Sequence, residues 1–274
     1  MSDFMQFVFS GLTTGAIYAL AALGFSLIYN ASGVINFAQG DFLMLGGMVT
    51  AALLAHQMPY GLAMVGGVAA TVIVGLLLYR LAIGASIFIQ GVVQIVLGKN
   101  QQTLPPFSGD RALQIMGAYV LPQSLWVLGT AAVLVVLCFG FFRFTMVGKS
   151  MLAVAANALA ARAVGIPTAR VLQLSFGLSA LLGALAGVVA APVTTTVYDI
   201  GLMLGMKGFV AATLGGLGSG LGAVIGGLIV GLLEALVAGY ISSAYKDAVP
   251  FVMIVVILLV MPHGLFGAKT SDRV

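Results

Sequence analysis

The sequence predicts an all-α fold: a polytopic membrane bundle of about eight full transmembrane helices plus one short, irregular membrane segment. Three observations carry that reading. Hydrophobic residues make up 61% of the chain and charged residues only 7%, whereas a soluble domain carries roughly a quarter charged. The apolar residues gather in successive runs, most of them free of charge and close to the roughly 20 residues needed to cross a bilayer. Lysine and arginine collect in one central loop and at the tail, the distribution that marks the cytoplasmic side of a membrane protein.

The elements follow in order. Residues 7–29 are uncharged, and Gly11, Gly15 and Gly24 leave one face open to close helix approach. The N-terminus bears Asp3 and no lysine or arginine. Lacking the basic start of a cleaved signal peptide, the first span is expected to stay. Residues 30–41 break the run with polar and small side chains, and residues 42–55 resume it. Residues 61–79 form a further span closed by Arg80. Residues 81–98 are apolar again, so Arg80 alone separates two spans, where an antiparallel pair normally needs a few residues. Either one end unwinds at Gly84, Ala85 and Ser86, or part of a loop is missing there. Residues 99–123 are a polar loop with Pro105, Pro106, Gly109, Asp110 and Arg111. Residues 125–142 span next, with Trp126 as an interfacial anchor.

After a basic stretch, residues 171–192 cross back. Residues 202–217 contain Lys207 and end in a glycine-rich turn. Residues 221–238, despite Glu234, and 249–261 are the last two spans. Arg143, Lys149, Arg162 and Arg170 place the central loop inside, and Lys269 with Arg273 place the tail inside. Two inside points require an even number of crossings between them. The 202–217 segment is therefore expected to cross as well, in unwound form. Counting backwards puts the 99–123 loop and the N-terminus outside.

Several chemistries have no residues to carry them. Cys138 is the sole cysteine, and His56 and His263 lie beside prolines at opposite ends of the chain. No metal site or nucleophile–base set appears. The glycine-rich run at residues 215–220 has no following lysine and no preceding strand, so it is not a phosphate-binding loop. The net charge of +4 comes from span ends and loops without aromatic interleaving, which speaks against a nucleic-acid surface.

Ionisable groups inside the membrane point to function, because a charge at the bilayer centre costs about 3 kcal/mol or more. Asp41, Lys207 and Glu234 are the candidates, with Asn36 and Gln39 beside Asp41 in the first break. The plainer reading makes Asp41 a helix N-cap near the membrane surface and Glu234 an interhelical partner, conceivably of Lys207. The two breaks, residues 30–41 and 199–220, fall in opposite halves of the chain, and interrupted spans in such positions mark a translocation path.

The central stretch at residues 149–170, KSMLAVAANALAARAVGIPTAR, is rich in alanine and free of proline until Pro167. It reads as one helix stopped by Gly165 and Pro167. As a plain solvated loop it would only set topology. Its motif from Ala160 and Ala161 through Arg162 to Gly165 and Ile166, however, resembles the cytoplasmic "EAA" loop of ABC-importer permeases, with Leu159 in place of the glutamate. Residues 11–47, GLTTGAIYALAALGFSLIYNASGVINFAQGDFLMLGG, resemble the N-terminal signature of the branched-chain amino-acid ABC importer permeases. Residues 216–267, ending MPHGLFG, resemble their C-terminal one. Two departures stand out: a longer basic loop is expected between Tyr79 and Gly84, and Met261 replaces an arginine before Pro262.

The resemblance implies a single permease domain over residues 1–274 in a bacterial inner membrane, with residues 143–170 as its coupling-helix loop. It implies partners: a second homologous permease, two cytoplasmic ATPase subunits that bind the ATP, a periplasmic substrate-binding protein, and membrane lipids. No cofactor is expected on this chain and no enzyme activity. Ala160, Ala161, Arg162, Gly165 and Ile166 would contact the ATPase, with Ala161 and Gly165 stacked on one small-residue face. Urea or short amides remain alternative substrates. A self-sufficient secondary transporter or channel, using Asp41, Lys207 or Glu234 for ion coupling, is the alternative class.

Overall fold

The computed structural model describes residues 2–78 and 85–267. The cramped join at Arg80 and the tail with Lys269 and Arg273 lie outside the described residues. Among those described, the chain forms eleven α-helices, one short hairpin and a 3-10 turn.

Helix α1 (Ser2–Ser32) is the axis of the bundle. Its apolar window is 89% buried by the rest of the chain, against 22% for α5 (Pro122–Phe144). The first is therefore a core element, while α5 leaves most of its apolar surface for lipid. Glycines let the neighbours close on α1. A Cβ on Gly15 would stand 2.9 Å from the Gly227 carbonyl of α10 (Gly220–Tyr240), and one on Gly11 would stand 2.8 Å from the Leu232 Cα. The same device joins α2 (Gln39–Ala55) to α8 (Thr168–Thr194), where a Cβ on Gly187 would run into the Leu43 carbonyl. Lipid is as apolar as leucine, so close backbone packing of this kind holds helices together where the hydrophobic effect does not.

Among the described residues, five helices have the length and composition to cross a membrane: α1, α3 (Tyr60–Leu78), α5, α8 and α10. Shorter apolar helices fill the remaining places: α2, α4 (Ala85–Leu97), α9 (Ile200–Gly215) and α11 (Ala248–Val260), at 17, 13, 16 and 13 residues. Thirteen helical residues reach only about 20 Å, against a hydrocarbon core of about 30 Å. Among the described residues, five helices meet the length of a full span, so the eight full spans that the sequence predicts are not all matched by helices of that length.

The segment expected to be unwound is instead the regular helix α9. Its one charge, Lys207, is paired within the bundle, so the helix has no need to open around it. The irregularity falls just beyond, at Gly216 and Gly218, which take φ of 95° and 90°. Two of the free carbonyls that α9 leaves at its end are capped by the C-terminal motif. Leu265 N–H donates to Leu214 O (2.8 Å) and Phe266 N–H to Gly215 O (3.0 Å).

The loop before α5 carries an unforeseen hairpin, β1 (Leu113–Ile115) and β2 (Ala118–Val120). Its two-residue turn, Met116 and Gly117, has positive φ at both positions, as tight hairpins prefer. Gln6 of α1 clamps it, donating to Tyr119 O (2.9 Å) and accepting from Tyr119 N–H (2.8 Å).

Candidate functional site

Two regions carry most of the polar chemistry of the bundle, and a third projects from it. The first is the meeting of the two breaks. Residues 33–38 lie between α1 and α2 outside any regular helix, and α2 then begins at Gln39. A Cβ on Gly40 would collide with the Gly201 carbonyl at the start of α9. Phe37 packs edge-on against Phe209 of α9 at 5.4 Å, and Phe25 completes an aromatic cluster. Asn30 Nδ2 donates to Gly218 O at 2.7 Å. Breaks 160 residues and more apart in sequence thus pack directly on one another.

Of the expected path residues here, Asn36 accepts from Ala38 N–H (3.1 Å) and turns the chain into α2. Gln39 is buried between helices, with its side-chain amide against the Ser179 hydroxyl of α8, whose single proton has Gln39 Oε1 and Gly24 O of α1 (2.9 Å) as its two acceptors within reach. Asp41 does not cap α2, whose N-cap position is Ala38. It sits in the first turn, 1% exposed, with Oδ1 accepting from Gln90 Nε2 of α4 (2.9 Å) and Oδ2 without a partner among the described residues.

The second region is a buried charge cluster. Lys207 Nζ donates to Glu234 Oε1 of α10 (2.7 Å) and to Asp247 Oδ1, just before α11 (2.6 Å). Tyr18 of α1 donates its hydroxyl to Glu234 Oε2 (2.8 Å). The cluster ties four helices at one point. Removing Glu234 would leave the buried lysine with only the partly exposed Asp247 as counter-charge among the described residues, a destabilising change. The hydrogen bond from Lys207 holds the Asp247 carboxyl below the usual carboxylate range. Sequence reasoning found Lys207 and Glu234 but missed Asp247 and Tyr18. A loop aspartate and a span tyrosine carry no signal until the fold brings them to the lysine. Asp41 does not join this cluster.

The third region is the projecting arm. It is two helices, α6 (Met146–Ala156) and α7 (Ala158–Ala163), where the sequence predicts one. Asn157 breaks them: its backbone is extended and its Oδ1 accepts from Ala160 N–H (2.9 Å), making it the N-cap of α7. Gly165, at φ 85°, closes α7. Gly165 N–H donates to Arg162 O and Ile166 N–H to Ala161 O, the bond pair of a Schellman cap.

Gly165 therefore lies past the helix end and does not stack on Ala161. Ala161 is itself 4% exposed and turned inward, packed with Met151, Val154, Val171 and Ile166. Arg162 Nε donates to Thr168 Oγ1 (2.9 Å), joining α7 to α8. At its α7 end the arm presents Leu159 and Val164 outward, 79% and 77% exposed, beside the exposed Ala160, and Met146 and Leu152 of α6 are exposed as well.

Long apolar helices around a buried central one, with a few ionisable groups buried among them and a basic arm at one end, define a polytopic membrane protein. The chain belongs to the family described as branched-chain amino acid transport system / permease component, which matches residues 7–258. It is 35% identical to the high-affinity branched-chain amino acid transport system permease protein LivH of Escherichia coli K12, over 99% of this chain and 98% of that one. It is 29% identical, with the same coverage, to the corresponding permease protein BraD of Pseudomonas aeruginosa. The alignments run over 303 positions against 274 residues here, so the relatives carry segments without a counterpart in this chain. Among solved structures, PsaBC from Streptococcus pneumoniae in complex with Fab aligns at a TM-score of 0.54 and 16% identity, covering 95% of this chain and 92% of that one. At that identity the likeness is one of fold.

Proposed function

We propose that this chain is the single-domain permease subunit of an ATP-driven importer for branched-chain or related amino acids in the bacterial inner membrane. In this reading the chain needs no nucleotide site of its own. ATP is bound by two cytoplasmic ATPase subunits, a second homologous permease completes the path, and a periplasmic binding protein delivers substrate. Residues 143–170 form the coupling loop. Movement of the docked ATPases tilts α6 and α7 and, through Arg162 and Ile166, the start of α8.

The observation that carries the reading is the arm itself, in a chain of this family. Two large apolar side chains stand exposed, Leu159 in the six-residue α7 and Val164 at its C-cap. That is a poor arrangement for water and a good one for a partner's groove. Ala160 and Gly165 flank the contact, while Ala161 and Ile166 support it from within. The proposed path runs where the two breaks meet, past Asn36, Gln39 and Asp41, with Lys207 and Glu234 bracing its wall.

Leu159→Asp tests the reading. The substitution should leave insertion and melting unchanged, because the side chain touches little, yet reduce co-purification of the ATPase subunits at least tenfold. Normal ATPase recovery with this variant would reduce the arm to a topology loop. A secondary transporter is favoured by one observation, the unpartnered Oδ2 of Asp41. Asp41→Asn separates the two readings, since an ATP-driven permease keeps substantial transport and an ion-coupled carrier loses it.

A further inference from the structure

The charge cluster is asymmetric, and the asymmetry has a mechanical use. Lys207 and Glu234 have side chains 5% and 8% exposed, whereas the Asp247 side chain is 42% exposed. Parting Lys207 from Glu234 would leave a buried carboxylate held only by the neutral Tyr18 hydroxyl among the described groups. Parting Lys207 from Asp247 would not: the lysine keeps Glu234, whose second oxygen keeps Tyr18, and Asp247 moves into water. One contact is permanent and the other releasable.

The releasable contact sits at the N-terminal end of α11, a helix held to the bundle along one face by the partly buried Met253, Ile254 and Ile257. Only Pro250 of α11 is buried, and the chain before it, residues 241–247, is largely exposed. The far end of α11 is fixed instead. Leu265 and Phe266 bond to the end of α9, after Gly264 turns the chain at φ 71°. A helix anchored at one end, with a glycine turn beside the anchor and one ion pair at the other end, is a lever with a latch.

We propose that Lys207 and Asp247 form a releasable lock on the N-terminal end of α11, with Glu234 and Tyr18 keeping the lysine neutralised while the lock is open. α11 then has two positions, latched and swung out, whose balance is set by one partly exposed contact. An unperturbed two-state element of this kind populates its minor state at about 0.1–10%. The lock is a property of this chain alone and does not depend on the transport reading.

The test places nitroxide labels on cysteines at Val252 of α11 and Tyr119 of the hairpin, in a Cys138→Ala background, with the full chain in lipid nanodiscs. The parent should give one dominant distance by pulsed electron resonance. Asp247→Asn should add a second population of a tenth or more while melting within a few degrees of the parent, and Asp247→Glu should restore the single distance. Glu234→Gln should lower melting further than Asp247→Asn does. An unchanged distance distribution in Asp247→Asn overturns the lock, and so does a melting loss equal to that of Glu234→Gln, since either makes the cluster a static brace. Neither readout needs ATPases or substrate, so failure here leaves the permease reading untouched.

Discussion

Single residues here matter mostly through size. A Cβ on Gly40 has no room against the Gly201 carbonyl, while one on Gly91 in α4 meets nothing within 4 Å. Gly40→Ala should therefore destabilise the protein by about 1–3 kcal/mol through overpacking. Gly91→Ala should be neutral or stabilising by up to about 1 kcal/mol, because alanine is the better helix former. Thermal unfolding of both variants in detergent checks the pair, and equal melting would mean that the junction of the breaks is not tightly packed. The glycine content was legible as helix packing, but which glycine meets which backbone was not. Gly40 and Gly201 lie far apart in sequence, and local pattern has no access to pairings at that range.

At the scale of elements, the arm was legible in place and in composition but not in form. Alanine-rich sequence from Ala153 to Ala163 favours a helix throughout, and Asn157 inside it reads as a mild exception. In the fold, Asn157 uses its side chain as a cap and splits the helix in two. The small-residue face expected from Ala161 and Gly165 dissolves for the same reason: one packs inward and the other ends the helix. α9 went the opposite way, reading as irregular because of a lysine that the fold pairs internally. The joint at Asn157 has a consequence for coupling. Asn157→Ala removes the cap at a cost of about 1 kcal/mol and favours one continuous helix, which turns α7 away from its docked direction. Insertion should be normal, while substrate-stimulated ATP hydrolysis by the assembled complex falls several-fold. Unchanged hydrolysis would show that the break carries no coupling function.

For the whole molecule, orientation and energy source are the open physical quantities. In the proposed orientation, which rests on the basic residues Arg143 to Arg170, the arm lies in the cytoplasm and the hairpin loop outside. In a Cys138→Ala background, a cysteine at Asn157 should be labelled only from the cytoplasmic side and one at Ser108 only from outside. Labelling of the Asn157 position by an impermeant reagent on intact cells would reverse the orientation. The fold class and most helix positions were legible from hydropathy and charge, and the family from the resemblance carried by residues 11–47, 160–166 and 216–267. The closing of two distant breaks onto each other and the four-residue charge cluster were not, because both are tertiary. The most direct test of an ATP-driven permease is uptake of a radiolabelled branched-chain amino acid by the complete complex in proteoliposomes, with the proton gradient collapsed and ATP held constant at the ATPase face. Uptake should persist under those conditions and stop when ATP is withheld. Uptake that vanishes with the gradient and ignores ATP would contradict the permease reading and make this chain an ion-coupled carrier.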